Sequence, residues 1–219
     1  MPAPAWVLAS VESELAVYLY VTLSTTAVFS AFGWIIGRKS DRLDAMSLTD
    51  TLTDLGNRRQ LDRHVRSELA RASRYRTPLA LLLIDVDRLK EINDRGGHLA
   101  GDRALRRVAE AIARTARKTD IPARFGGDEF ALLAPQTTAE DALRLAERIR
   151  ARVQDGATSE LSVSIGLADL CHAPSLDPEE LYRAADRALY LSKSSGRNRV
   201  SMPAKPTPDP TPPGARKPD

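Results

Sequence analysis

The sequence predicts an α+β domain, with helices packed on a mostly antiparallel sheet, preceded by one transmembrane helix. Three observations carry this. Segments with apolar residues at helical spacing are interspersed with short apolar or alternating runs, a mixed order that gives helices on an antiparallel sheet. Two strand-like segments, Ile121 to Phe125 and Glu129 to Ala134, flank Gly126-Gly127-Asp128 as in a hairpin. Leu15 to Gly37 carries no charge.

Taken in order, Leu15 to Gly37 as a helix would be about 34 Å long, enough for a hydrocarbon core of about 30 Å. Its hydroxyls (Thr22, Ser24, Thr25, Thr26, Ser30) can bond back to helix carbonyls. Trp6, Trp34, Tyr18 and Tyr20 suit the interfaces. Glu12 and Glu14 precede the run, and Arg38, Lys39 and Arg42 follow it. The positive-inside rule then puts the C-terminal side in the cytoplasm. Residues 1–14 become a short extracytoplasmic segment and residues 38–49 a helical connector. The folded domain spans 50–202.

Within that domain, Arg58 to about Tyr75 is helix-prone. Pro78 to Asp87 contains a short apolar run that suits a buried strand. Leu105, Val108, Ala109 and Ile112 predict a helix from about Ala100 to Lys118. After the hairpin, Leu145, Ile149 and Val153 mark a helix, and Leu161 to Leu167 alternates as a strand. Leu181, Ala184, Ala185, Ala188 and Leu189 mark the last helix. Residues 203–219 are proline-rich and read as a disordered or polyproline tail.

Composition excludes some functions. The 219 residues carry 32 basic and 29 acidic side chains, a net charge of +3, which argues against a general nucleic-acid coat. The single cysteine, Cys171, rules out an internal disulfide framework and is expected to be a buried structural thiol.

The chemistry concentrates at strand ends. A buried strand ending Asp85-Val86-Asp87 places carboxylates where core strands seldom keep them. Alternation is read as turning Asp85 and Asp87 to opposite sides, so that one of them faces a site. The hairpin supplies Asp128 and Glu129, which could converge with Asp85 if the strands are neighbours. Carboxylates without His or Cys select hard cations, chiefly Mg²⁺ or Mn²⁺, which share their shell with substrate phosphates. Gly126 and Gly127 would let a phosphate or sugar approach the backbone. Asn93 and Asp102 could read a guanine edge, and Lys193 and Arg197 could meet phosphates. Each feature alone also has an ordinary structural reading, as a cap, a turn or a solvated helix end.

Together these residues resemble the GGDEF family of diguanylate cyclases. The signature stands at Gly126-Gly127-Asp128-Glu129-Phe130 after Arg124-Phe125. Asp50 to Arg59 is similar to the family's opening segment, and Asp85 to Asp94 to its metal strand and nucleotide turn. Gly97 to Asp102, Ser164-Ile165-Gly166, Ala185 to Tyr190, Lys193 and Gly196-Arg197-Asn198 follow in order. The resemblance covers about Asp50 to Val200 and implies a five-stranded sheet surrounded by helices.

It also implies roles. Asp85, Asp128 and Glu129 would bind two Mg²⁺ (or Mn²⁺) ions per half-site, with the Val86 carbonyl. Asn93 and Asp102 would recognise guanine, with His98 beside the nucleotide. Lys193 and Arg197 would contact phosphates. Asp128, or Glu129, would take the proton as two GTP condense into cyclic di-GMP. One domain would hold one GTP, so a two-fold homodimer would be required. Arg117 and Asp120 resemble the family's RxxD product-inhibition site. Leu89, Gly96 and Asp54 depart from its usual Phe, aromatic and Gly. The alternative is a catalytically silent cyclic di-GMP receptor. Either way the expected location is the bacterial inner membrane, single-pass, with the domain in the cytoplasm and no nucleic-acid partner.

Overall fold

The structure is a computed structural model and describes residues 17–32, 48–155, 161–172 and 175–203. Two units divide the chain, Met1–Ser47 and Leu48–Asp219. In the first, residues 17–32 form helix α1, with Val17, Leu19, Val28 and Phe29 exposed. The hydroxyls of Thr22 and Thr26 donate to carbonyls four residues back, each at 2.7 Å. Among the described residues no helix is long and apolar enough to cross a membrane. The expected extracytoplasmic segment, both ends of the expected span, residues 38–47 of the connector and the tail from 204 lie outside the described residues.

The second unit runs β1 (Gly56–Asn57), α2 (Arg58–Tyr75), β2 (Leu79–Val86), α3 (Leu89–Gly96), α4 (His98–Thr115), β3 (Ile121–Arg124), β4 (Glu129–Pro135), α5 (Ala139–Gln154), β5 (Val163–Asp169), α6 (Pro178–Ser194) and β6 (Val200–Ser201). Helix starts follow local chemistry. The side chains of Asn57, Thr138 and Asp177 accept from backbone N–H groups in the first turns of α2, α5 and α6. α4 already starts at His98, after Gly97, and stops earlier than its apolar spacing predicts, because Ala116 is extended. α3 was not foreseen as a helix; it presents no fully buried face and so leaves no strong periodic signal.

The sheet order is β1-β3-β4-β2-β5-β6. Its four central strands pair antiparallel, as expected. Two corrections apply to the expected sheet: it has six strands rather than five, and it is mixed. β1 joins β3 in parallel, and β6 joins β5 in parallel. Both added strands are two residues long, too short for any period-2 signal.

β2 is buried along its whole length. Leu82 and Ile84 pack with Val108, Ile112 and Ile149 of α4 and α5. Leu81 and Leu83 face the other way, with Leu61 and Val65 of α2 and Leu181 and Leu189 of α6. The sheet is therefore covered on both faces. Each fully buried Leu or Ile contributes about 1.5–3 kcal/mol relative to exposure. At Gly166 in β5 a Cβ would collide with the Ala185 carbonyl and the Leu189 backbone. Glycine thus brings α6 backbone-to-backbone onto β5, which fixes where the end of α6 lies.

Cys171 is exposed, not buried. It sits in the short 3-10 turn Leu170–His172 beyond β5, where its N–H donates to Asp169 Oδ1 at 3.0 Å.

Candidate active site

β2 ends at the site. Asp85 stands opposite Glu129 of β4, and the next N–H, that of Val86, donates to the Asp128 carbonyl at 3.1 Å. The antiparallel register itself thus sets the backbones of Asp85, Val86, Asp128 and Glu129 side by side. Phe125 N–H and Gly126 N–H both donate to the Glu129 carbonyl, closing the turn. The Glu129 carboxylate folds over Gly126, where a Cβ would press against its Oε2. Gly127 has nothing within 4 Å of its missing Cβ, so its surface is open to a ligand.

Lys193, from the end of α6, places Nζ 2.7 Å from Asp85 Oδ2. Asp85 is only 6% exposed. Burial pushes its pKa up to about 6; Lys193 pulls against that, while Asp128 and Asp87 add to it. Its negative charge is costly here unless cations surround it.

Asp87 does a different job. Residues two apart on a strand share a face, so the expectation that Asp85 and Asp87 point oppositely is wrong. Both lie on the α6 side, and their partners distinguish them. Asp87 Oδ1 accepts from Ser164 Oγ at 2.6 Å, and Oδ2 accepts from Ser162 Oγ at 2.7 Å and Asn198 N–H at 3.1 Å. Both of its oxygens are engaged by the protein, and it is 3% exposed.

Asn198 follows Gly196 and Arg197, and all three have positive φ. Arg197 is thus carried on a left-handed turn that Asp87 pins through the next residue. With Asp87, Arg88, Ile92 and Ser162 it lines an open pocket of about 290 Å³.

Asn93 of α3 lies against Gly101 of α4, next to Asp102, and a Cβ on Gly101 would collide with its carboxamide. Asn93 Oδ1 is packed against Gly101, buried and without a hydrogen-bond partner. His98 opens α4 after Gly97, whose φ is 72°. Arg117 and Asp120 sit on the α4–β3 turn, where Arg117 N–H donates to Asp120 Oδ2 at 2.7 Å. Asp120 Oδ1 is buried and unpartnered. Asp120 therefore braces its own turn through Oδ2.

Two residues were missed as positioning groups. Arg124 Nη1 reaches both Asp50 carboxylate oxygens at 3.2 Å, and Nη2 donates to the Gly127 carbonyl at 2.7 Å. The domain's opening segment and the signature turn are thus tied by one guanidinium. Burial raises the Asp50 pKa, but the Thr53 hydroxyl and Arg124 outweigh it, and the net shift is downward. Asp50-Thr51-Leu52-Thr53 holds a local signal, an Asp whose Oδ1 accepts from the N–H and hydroxyl of Thr53. Phe125 is held as well, stacked on Tyr182 at 5.4 Å with the Arg58 guanidinium 4.4 Å from its ring centroid.

Among the described residues no three His, Cys, Asp or Glu are gathered as a metal cluster. The donors still fit Mg²⁺ chemically: hard oxygens only, few in number, with a buried carboxylate now balanced by one lysine.

The sequence model of "Diguanylate cyclase, GGDEF domain" matches residues 47–199. The chain belongs to the GGDEF-domain family. It is 45% identical over 160 residues to the diguanylate cyclase DosC of Escherichia coli (strain K12), covering 70% of this chain and 34% of that protein. It is 41% identical over 162 residues to the response regulator PleD of Caulobacter vibrioides, covering 71% and 36%. This GGDEF chain therefore spans about a third of the length of the curated relatives it matches. The GGDEF domain of DgcB from Caulobacter crescentus, solved in complex with c-di-GMP, superposes with a TM-score of 0.66 at 36% identity, covering 71% of this chain and 95% of that one. Diguanylate cyclase SiaD of Pseudomonas aeruginosa, solved with its activator SiaC, gives 0.65 at 31%, covering 87% and 75%.

Proposed function

We propose that this chain is a membrane-anchored diguanylate cyclase that condenses two GTP into cyclic di-GMP and two pyrophosphates across a two-fold homodimer. The observation that carries the reading is the buried Asp85 carboxylate, in register with Glu129 and met by Lys193. The likeness to DosC, PleD and DgcB supports the same chemistry.

Asp85, Asp128 and Glu129, with the Val86 carbonyl, would hold Mg²⁺ or Mn²⁺, two ions per half-site. Such ions would neutralise phosphate charge at the transferring centre. Asn93 and Asp102 accept from the guanine N–H groups, with His98 beside the nucleotide; the packing of Asn93 against Gly101, next to Asp102, favours this. Lys193 and Arg197 hold phosphates. Each GTP 3′-oxygen forms a bond to the α-phosphorus of the other GTP, and the bond to pyrophosphate breaks. The proton leaves to Asp128, with Glu129 as the neighbouring acceptor. Product binds Arg117 and Asp120 and inhibits; the exposed Arg117, held beside Asp120 on one turn, favours this. The exposed apolar side chains of α1, the uncharged run and the basic residues after it favour a span in the bacterial inner membrane, with the domain in the cytoplasm.

The test is the purified full chain in detergent with GTP and Mg²⁺. Cyclic di-GMP should form, and Asp128→Ala should abolish it. Binding of cyclic di-GMP by a wild-type dimer that makes none would establish the silent receptor instead. Arg117→Ala should relieve product inhibition, and unchanged inhibition would remove that part of the reading.

A further inference from the structure

We propose that the outer face of α2 docks on an anionic phospholipid surface. This rests on the membrane-anchor reading above for its setting, but on separate residues for its chemistry. At 100° per residue, Arg59, Arg63, Arg66 and Arg74 fall within about 80° of one another, opposite the buried Leu61, Val65, Leu69 and Ala72. They form a stripe about 22 Å long. All four are exposed, and none has a hydrogen bond or ion pair among the described residues.

The carboxylates of α2 are turned elsewhere. Asp62 accepts from the Tyr182 hydroxyl at 2.9 Å and lies 4.0 Å from Arg58, at the flank of the stripe. Glu68 lies 3.6 Å from Arg71. The stripe itself is free of acid.

Beside it opens a pocket of about 310 Å³ lined by Leu48, Gln60, Arg63, His64 and Ser67. Gln60, Arg63 and His64 can donate hydrogen bonds into it, the Ser67 hydroxyl already donates to the His64 carbonyl at 2.9 Å, and no carboxylate lines it. A straight row of cations beside such a pocket fits a plane of phosphates with a headgroup seated in it. The nearly balanced charge of the whole chain means that this basicity is local rather than general. Residues 33–57 can reach at most about 90 Å, so an anchored chain keeps α2 near headgroups at high effective concentration. Those two features favour a lipid surface over nucleic acid.

The experiment uses the full chain with Cys171→Ser and a fluorophore on Ser73→Cys, an exposed position on α2. Energy transfer to acceptor-labelled headgroups is read in phosphatidylcholine vesicles and in vesicles with added phosphatidylglycerol. Transfer should rise with phosphatidylglycerol and fall in high salt. In a fourfold Arg→Gln variant at 59, 63, 66 and 74 the rise should vanish, while the fourfold Arg→Lys variant should keep it. Each single Arg→Gln change should weaken the anionic preference about fivefold.

Equal transfer in neutral and anionic vesicles, or a Gln variant that behaves as wild type, overturns the proposal. So does tighter retention on duplex DNA than on anionic vesicles at equal phosphate. Flotation with purely neutral vesicles reads the anchor by itself. Its failure would sink the anchor and leave the lipid-charge dependence of α2 to stand or fall on its own.

Discussion

Asp87→Ala separates a structural carboxylate from its neighbour Asp85, the proposed metal ligand. The change removes three hydrogen bonds accepted by Asp87, from Ser162, Ser164 and Asn198. Hydrogen bonds to charged groups are worth about 1.5–3 kcal/mol each, but members of one network do not add. At 3% exposure water cannot take over, although removing a buried charge returns part of the loss. A net loss of about 3–4 kcal/mol is expected, at the low end of what breaking a buried ionic network costs. At about 2–4 °C per kcal/mol for a domain of this size, Tm should fall by roughly 6–16 °C. The assay is thermal and urea unfolding in metal-free buffer, beside GTP turnover well below Tm. Asp85→Asn should do the opposite, abolishing turnover with little loss of Tm. A Tm drop under about 2 °C for Asp87→Ala, with turnover lost, would make Asp87 a ligand rather than a brace and refute the reasoning.

Gly166→Ala should destabilise by about 1–3 kcal/mol in urea, because α6 must back away from β5, and should raise the GTP KM as Lys193 moves with it. Arg124→Lys cannot span Asp50 and the Gly127 carbonyl together; kcat should fall at least tenfold with Tm lowered by only a few degrees, and equal kcat would dismiss the tether. Asp85, with its folded pKa raised to about 6, keeps a proton that the unfolded chain loses near 4. Metal-free stability should therefore decline as pH rises from about 4 to 6, and Asp85→Asn should remove that decline in Tm-versus-pH scans. Asp54 holds φ at 58°, a region where glycine is unstrained, so Asp54→Gly should raise stability by up to about 1 kcal/mol in urea unfolding.

The sequence made some of this legible, and physics explains which parts. Long periodic segments such as α2 and α6 and the apolar run of β2 were readable because burial repeats along them. The hairpin was readable because glycines interrupt two apolar segments. The site's carboxylates stood out because Asp85 ends a buried strand. What escaped depends on partners distant in sequence. Nothing near Asp87 announces Ser162, Ser164 and Asn198, more than 70 residues away. Arg124 and Asp50 are 74 residues apart and meet only once β1 lies beside β3. α3 escaped because little of it is buried, and Cys171 was misjudged because a lone thiol carries no burial signal of its own.

Both margins of the sheet end in strands of two residues, β1 and β6. A long bare margin invites another chain to add its own strand, the usual opening to aggregation. Here each outermost strand offers few free N–H and C=O groups, and β1 is itself met by Leu48 and Thr49. A ladder built outward from β1 or β6 therefore starts from few backbone partners. Recognition at these margins is thereby left to side chains and loops rather than to backbone pairing.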